Sequence, residues 1–537
     1  MKAINPKANI QTNTNPLSTR WKINFVVCMI IILTLPVICQ ATPSFNVRDF
    51  GASGEKSQNA QEAIEKAIRK VQEQGGGTVY FPAGSYTSGT IELVDNLVLH
   101  FEAGASLYAS NDVSAYQGRS HEESNMPMLL YAKNKKNIKI CGSGSIIGEP
   151  RFEHKPAVPY DFIEKEYAIA KDAGMDLNVP FRVPPSITLL YFTECDQVTI
   201  EGVSIIDSPF WAVHLHWCDR VFVRGVSITS SLDMGVNSDG LDIDGCSHVM
   251  VSDCYISTGD DAIVLKTTNF NGAHRPCQEI TVTNCVLEST SGALKLGTES
   301  HDDFTRITFT NCVIRNSNRG LGIFIRDGGK ASEVIFSNVI MECNRKDFHW
   351  WGDGDMARFI LIRRTPESRL GSIENITISN IRGIVQGTSL FTSKEAASLK
   401  NIKIQNIHLK MEAESTADKR ATNAMTFEKI EDLQIEDVHI VWDSMKTEKL
   451  WKHAIQISDV QNLVLGNIQV SSQKSAGATS GIQLNQIKNA RVSNVYSFDK
   501  PEGLLRISGR QNGNISIRDM DKKSVVIDAE SRKSVRF

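Results

Sequence analysis

The 537-residue sequence has no surplus of positive charge. Its 58 Lys+Arg stand against 61 Asp+Glu, a formal charge of -3, so no net field exists to draw phosphate and a general nucleic-acid binder is excluded. Aromatic residues are only 7%, and 16 Pro beside 37 Gly follow no triplet period, which excludes collagen-like and low-complexity chains. With 41% apolar and 22% charged residues the composition is that of a folded soluble protein, and disorder is excluded. Close Cys-x-x-Cys or His pairing is missing as well, so the cysteines do not read as a metal site.

Long apolar runs are scarce, and one stands out: Phe25 to Cys39, preceded by Arg20 and Lys22. It falls short of the roughly twenty residues of a spanning helix and carries Pro36 near its end. A secretory signal over 1–41, cut after Ala41, is the expectation, with an uncleaved anchor as the alternative. The protein is then exported, periplasmic or extracellular, with no stable membrane span once the signal is gone. Removing Cys28 and Cys39 leaves nine cysteines, an odd number that cannot all pair. Cys254, Cys285 and Cys312 sit in similar phrases, Ser-Asp-Cys-Tyr-Ile, Thr-Asn-Cys-Val-Leu and Thr-Asn-Cys-Val-Ile, and read as buried small hydrophobes filling equivalent slots.

Those slots belong to a repeat. A phrase apolar-x-apolar-x-(Asn/Asp/Gly)-apolar-x-apolar begins at Val198, Val221, Val249, Ile280, Ile307, Val334, Ile376, Ile402, Leu433, Leu463, Ala490 and Ile515. Period-two alternation rich in Val, Ile and Thr argues a strand with one buried face. Helical periodicity between the phrases is too sparse for crossover helices, so stacking is what can cover the apolar faces. The expected fold is all-β, a single-stranded right-handed parallel β-helix over 44–537, with Asn residues such as Asn284, Asn311, Asn338, Asn380, Asn406, Asn467 and Asn494 at its corners. An amphipathic helix over Ala60 to Gln74, stopped by Gly75-Gly76-Gly77, caps the open end. The longer interval between Val334 and Ile376 predicts a loop around Phe348-His349-Trp350-Trp351-Gly352.

One region departs from apolar alternation: Asn237-Ser238-Asp239-Gly240-Leu241-Asp242-Ile243-Asp244, then Thr258-Gly259-Asp260-Asp261-Ala262-Ile263. Asp239 precedes Asp260 by about one coil, which predicts neighbouring strands roughly 4.8 Å apart. Carboxylates so placed push each other's ionisation apart, giving an acid and a base. Adjacent Asp260 and Asp261 are expected at a bend that presents both to solvent. Asp242 and Asp244 read as turn residues bonding local backbone.

The Asn-Ser-Asp-Gly and Gly-Asp-Asp-Ala-Ile pair resembles glycoside hydrolase family 28, the polygalacturonases and relatives. Phe45 to Ala52, Gly75 to Gly84 and Ser208-Pro209-Phe210-Trp211 are similar too, and the likeness covers residues 45 to about 385. It implies an inverting hydrolase of pectic polysaccharide or oligosaccharide, acting as a monomer without metal or cofactor. Asp260 would be the general acid, and Asp239 and Asp261 would activate water, with the carboxyl groups about 6.5–9.5 Å apart. Asn237 belongs to the same motif. Two features depart: Gly292 stands where the family's Gly-His-Gly carries histidine, and Gly322 and Phe324 stand where its Arg-x-Lys pair grips galacturonate. Rhamnogalacturonan-directed relatives and a broad bacterial branch are closer on this count. Candidate substrate-binding residues are Asn237, Lys266, Lys295 and Arg326, with Arg319 and Arg369 as further cations, and Trp350 and Trp351, whose indoles suit sugar faces. His214 and His216 read as strand positions. A calcium-dependent pectate-lyase-like enzyme and a non-catalytic glycan-binding solenoid are the rival readings.

Overall fold

A computed structural model describes residues 43–116, 127–156, 164–175, 178–346, 352–471, 480–498 and 503–537. The leader assigned to 1–41, and Trp350 and Trp351, lie outside the described residues. Pro43 to Phe537 form one compact unit. Among the described residues no helix is long and apolar enough to cross a membrane.

Every strand pairing in the main sheet is parallel, and each strand pairs with its counterpart about one repeat away. The first residues of the twelve phrases fall on a single ladder. Val198 pairs with Val221, Val221 with Val249, Val249 with Ile280, and Ile280 with Ile307. The ladder continues through Val334, Ile376, Ile402, Leu433, Leu463, Ala490 and Ile515. Register is set by the buried face, because a slip of one residue would turn every apolar side chain outward. Inside the coil like residues stack: Phe309 on Phe336 at 4.9 Å and Phe391 on Phe427 at 4.6 Å. Cys254, Cys285 and Cys312 are buried in one such column, and the nine described cysteines are all free thiols.

The cap is α1 (Gln61–Glu73), which buries Ala63, Ile64, Ala67, Ile68 and Val71. It ends where Gly75 adopts φ +75°, a left-handed conformation that glycine enters without a Cβ clash. Between the coils at Ile138 and Val198 the repeat is interrupted. The interruption holds an antiparallel hairpin, Arg151–Pro156 with Asn178–Val183, and between its strands α2 (Glu164–Asp172).

One wall of the solenoid carries the polar departures. Its strands are β1 (Val213–His216), β2 (Leu241–Asp244), β3 (Ile263–Thr267), β4 (Gly292–Ser300), β5 (Arg319–Ile325), β6 (Asp355–Leu361), β7 (Ser389–Ser393), β8 (Asn423–Trp442) and β9 (His453–Val470). Leu241, Ile263, Leu294 and Leu321 face inward in register. The alternate residues His214, Asp242, Val264, Lys295, Gly322, Arg358, Leu390, Thr426 and Gln456 form the outward column.

Candidate active site

Asp239 and Asp261 each stand two residues ahead of a strand, β2 and β3. The Gly240 N–H donates to the Asp261 carbonyl at 2.9 Å, so the repeat itself stacks the two positions. Asp260 joins them because the chain bends: its Oδ1 accepts the Asp261 N–H at 2.9 Å and its Oδ2 accepts the Asn237 N–H at 3.0 Å. Asn237 holds that N–H in place at φ 54°, a conformation asparagine tolerates better than most residues. Carboxylate oxygens of Asp239, Asp260 and Asp261 all lie within 4.8 Å of one another.

The sequence predicts that the bend presents Asp260 and Asp261 to solvent; the structure buries them instead. Asp239 and Asp261 are 2% exposed and Asp260 is 7% exposed. Arg182, from the inserted hairpin, lies 4.5 Å over the Phe210 ring, and its charge reaches both Asp239 and Asp260. No repeat phrase covers that insertion, so nothing in the sequence sets a register that would bring Arg182 here.

Burial and mutual repulsion separate the carboxyls. Desolvation, then the charge of Asp261, push Asp260 up to about 6. Desolvation, then Asp242 and Asp260, push Asp239 well above the usual range. Burial also opposes the charge of Asp261, but Lys295 and Lys266 outweigh it and hold that carboxyl low. Its oxygens are engaged one by one: Gly292 N–H donates to Oδ1 at 2.9 Å and Lys295 Nζ to Oδ2 at 2.5 Å. The missing histidine leaves room for this arrangement. A Cβ on Gly292 would come within 3.2 Å of Asp261 Oδ1 and 3.4 Å of Lys295 Cδ.

Lys266 is buried, with Nζ 3.2 Å from Glu299, 3.6 Å from Asp242 and 3.9 Å from Asp239. It also sits 4.3 Å over the Trp211 ring. Asp242 and Asp244 are strand residues, not turn residues. Alternation places both on the outward side of β2, where neighbours bury them completely. Asp244 accepts from His214 at 3.3 Å and from the Thr268 N–H at 2.8 Å. Neither oxygen of Asp242 has a hydrogen-bond partner, and Asp239 Oδ1 has none. A pairwise pattern in sequence does not reveal this fourth carboxyl, because its role depends on Lys266 arriving from the next coil.

The other candidates disperse. Arg319 is buried and pairs with Asp355 at 2.9 Å. Arg326 follows β5, its N–H on Ser300 Oγ, beside an Asp327 carboxylate held by Arg364 at 2.6 Å. Arg369 is exposed in a loop. His214 and His216 are buried strand residues, and His216 Nδ1 lies 2.9 Å from Thr193 Oγ1. Three oxygen donors so close are of the hard-cation type, yet the Lys266 and Lys295 ammoniums already supply the positive charge such an ion would bring.

The sequence profile of glycosyl hydrolases family 28 matches residues 178–423, the segment that contains all of this wall from β1 to the start of β8. That segment of the chain is similar to glycosyl hydrolases family 28. A probable polygalacturonase of Vitis vinifera is 24% identical over 250 residues, 43% of this chain and 45% of that relative. The chain therefore spans less than half the length of this curated relative. Among solved structures, the exopolygalacturonase of Thermotoga maritima matches with TM-score 0.59 and 22% identity, covering 74% of this chain and 91% of that one. The family 28 exopolygalacturonase of Yersinia enterocolitica matches with TM-score 0.60 and 18% identity, covering 79% of this chain and 78% of the other. Those likenesses establish the parallel β-helix fold. In the matched segment the aspartate trio is present, and Lys295, three residues after Gly292, bonds Asp261.

Proposed function

We propose that the protein is an exported glycosidase that hydrolyses pectic polysaccharide or oligosaccharide at linkages to uronate sugars, including those of rhamnogalacturonan type. The observation that carries the proposal is the convergence of three carboxyls, one with its proton near pH 6 and one held charged by an ammonium. Asp260 donates its proton to the glycosidic oxygen. Asp261 stays ionised and orients the attacking water, and Asp239 fixes that water from the coil before. Lys266, Lys295 and Arg182 offer cations to a uronate carboxylate, in place of the family pair replaced by Gly322 and Phe324. Export rests on the Phe25 to Cys39 run.

Inversion of configuration is the first reading. Asp261 has an ammonium on one oxygen and an N–H on the other, which suits water orientation better than attack on carbon. A retaining course is the second, favoured by spacing: oxygens within 4.8 Å are closer than the roughly 6.5–9.5 Å of inverting pairs. Digestion of a panel of pectic oligosaccharides by wild type and Asp260→Asn tests the proposal. Hydrolysis yields saturated products, lost in the variant and indifferent to chelator, and NMR of the first-formed anomer separates inversion from retention. Unsaturated, ultraviolet-absorbing products abolished by chelator would establish elimination instead. An Asp260→Asn protein equal to wild type in every respect would leave a binding solenoid.

A further inference from the structure

We propose that the same outer wall carries a second, remote binding site for a uronate unit of the chain, built by α2 against strands β6 to β9. The inference deepens the reading of the aspartate site as one that cuts a uronate chain, and rests on it.

A cavity of about 280 Å³ lies there, lined among others by Lys165, Arg358, Lys394, Arg420, Asn423 and Thr426. Its floor is the outward column that begins at the aspartates: Lys295 pairs in register with Gly322, Gly322 with Arg358, and Arg358 with Leu390. The Phe324 ring and the Lys295 stem lie over Gly322, 3.0 and 3.2 Å from where a Cβ would stand, so an aromatic side chain lies on the wall between the two sites. Along it each coil advances about 4.8 Å, close to the length of one pyranose unit. The cavity thus begins three coils past β3, about 14 Å away, and ends six coils past it, about 29 Å away.

Its chemistry is that of an acidic sugar. Of the two acids in the lining, Asp353 is already bound by Arg345, Arg358 and Arg420, and Glu428 accepts from Thr392 at 2.9 Å. The Arg420 side chain is 6% exposed and pairs with Asp353 and Asp418, and its Nε has no hydrogen-bond partner. Lys165 and Lys394 stand exposed at the rim, adding positive charge that the two engaged acids do not offset. Asn423 Nδ2 donates to Thr426 Oγ1 at 3.0 Å and to Gln456 Oε1 at 3.1 Å, a line of neutral polar groups suited to hydroxyls. Leu390 and Ile169 supply apolar patches for a ring face. Lys165 and Ile169 come from α2, so the insertion that delivers Arg182 to the aspartates also closes this remote site.

The test is charge reversal at the rim, Lys165→Glu with Lys394→Glu, both outside the buried ion network. With an oligogalacturonide of about eight units KM rises about tenfold while kcat holds, and with one of about three units neither constant moves, because the short chain cannot span the distance. Equal effects on both lengths, or none, overturn the proposal. Binding is read separately by calorimetry on Asp260→Asn protein: the long oligouronide binds more weakly once the rim is reversed, and a neutral galactan oligomer of equal length does not change. An equal loss for the neutral chain overturns the assignment to uronate. Charge-sensitive binding of the long oligouronide without turnover of any pectic substrate would refute the hydrolase reading and leave the remote site standing.

Discussion

Asn and Asp recur at two places on this solenoid, and the two sets behave oppositely. At one corner Asn338 donates to Asn311 at 3.1 Å, Asn380 to Asn338 at 2.9 Å, and Asn406 to Asn380 at 2.7 Å. Each has φ near +55°, and the amides satisfy one another along an exposed edge. At the wall of the candidate site Asp239, Asp242, Asp260 and Asp261 are buried, and three of their oxygens have no hydrogen-bond partner. Buried polar groups without partners cost free energy that a purely structural device would avoid. The contrast teaches that residue type is a poor guide on a repeat scaffold. Satisfaction of hydrogen-bonding capacity is the better one: the ladder is closed on itself, whereas the cluster keeps oxygens without partners.

The largest break in this comparison is expected from Asp260→Asn. Turnover should fall by about 10³-fold, the scale of losing a general acid, with an unchanged circular dichroism spectrum. Next is Lys295→Met, which removes the ammonium holding Asp261 charged. Turnover falls by about 10²-fold and the acid limb of the pH–rate profile moves to higher pH, since Asp261 then ionises later. A profile unmoved on that limb would deny Lys295 this role.

A subtler difference appears in stability. Asp260 titrates near 3.8 when unfolded and about 6 when folded. Between those values the folded state keeps a proton that the unfolded chain has released, so stability present at low pH is lost as pH rises through the window. Asp260→Asn removes the loss, and its melting temperature should gain on wild type from pH 4 to 6 and hold that gain above. The smallest effect lies at the corner. Asn380→Ala costs about 1–2 kcal/mol for the left-handed backbone, read as a lower denaturant midpoint, while kcat stays at the wild-type value. Asn380→Gly should recover most of that loss.

The coil register was legible because it repeats. Val198 through Ile515 announce the same inward position at intervals of roughly one coil, and the structure places them on one ladder. Legible too was the aspartate trio, since Asp239 and Asp261 are equivalent positions on successive coils. Solvent access was not. Burial of the trio comes with a hairpin that obeys no repeat, and Arg182 reaches the site only through that hairpin's fold. Asp242 was misread as a turn residue because local spacing does not show that Lys266 of the following strand would face it at 3.6 Å.

Period-two alternation at a coil-length interval determined the parallel β-helix and the stacking of Asp239 with Asp261, and helical spacing its cap, because each follows from which face of a strand or helix must leave water. Only the tertiary structure decided which of those carboxyls keeps a proton and which stays charged. Ionisation depends on burial and on charges a few ångströms away, and these come from other coils and from the insertion, whose positions no local pattern encodes.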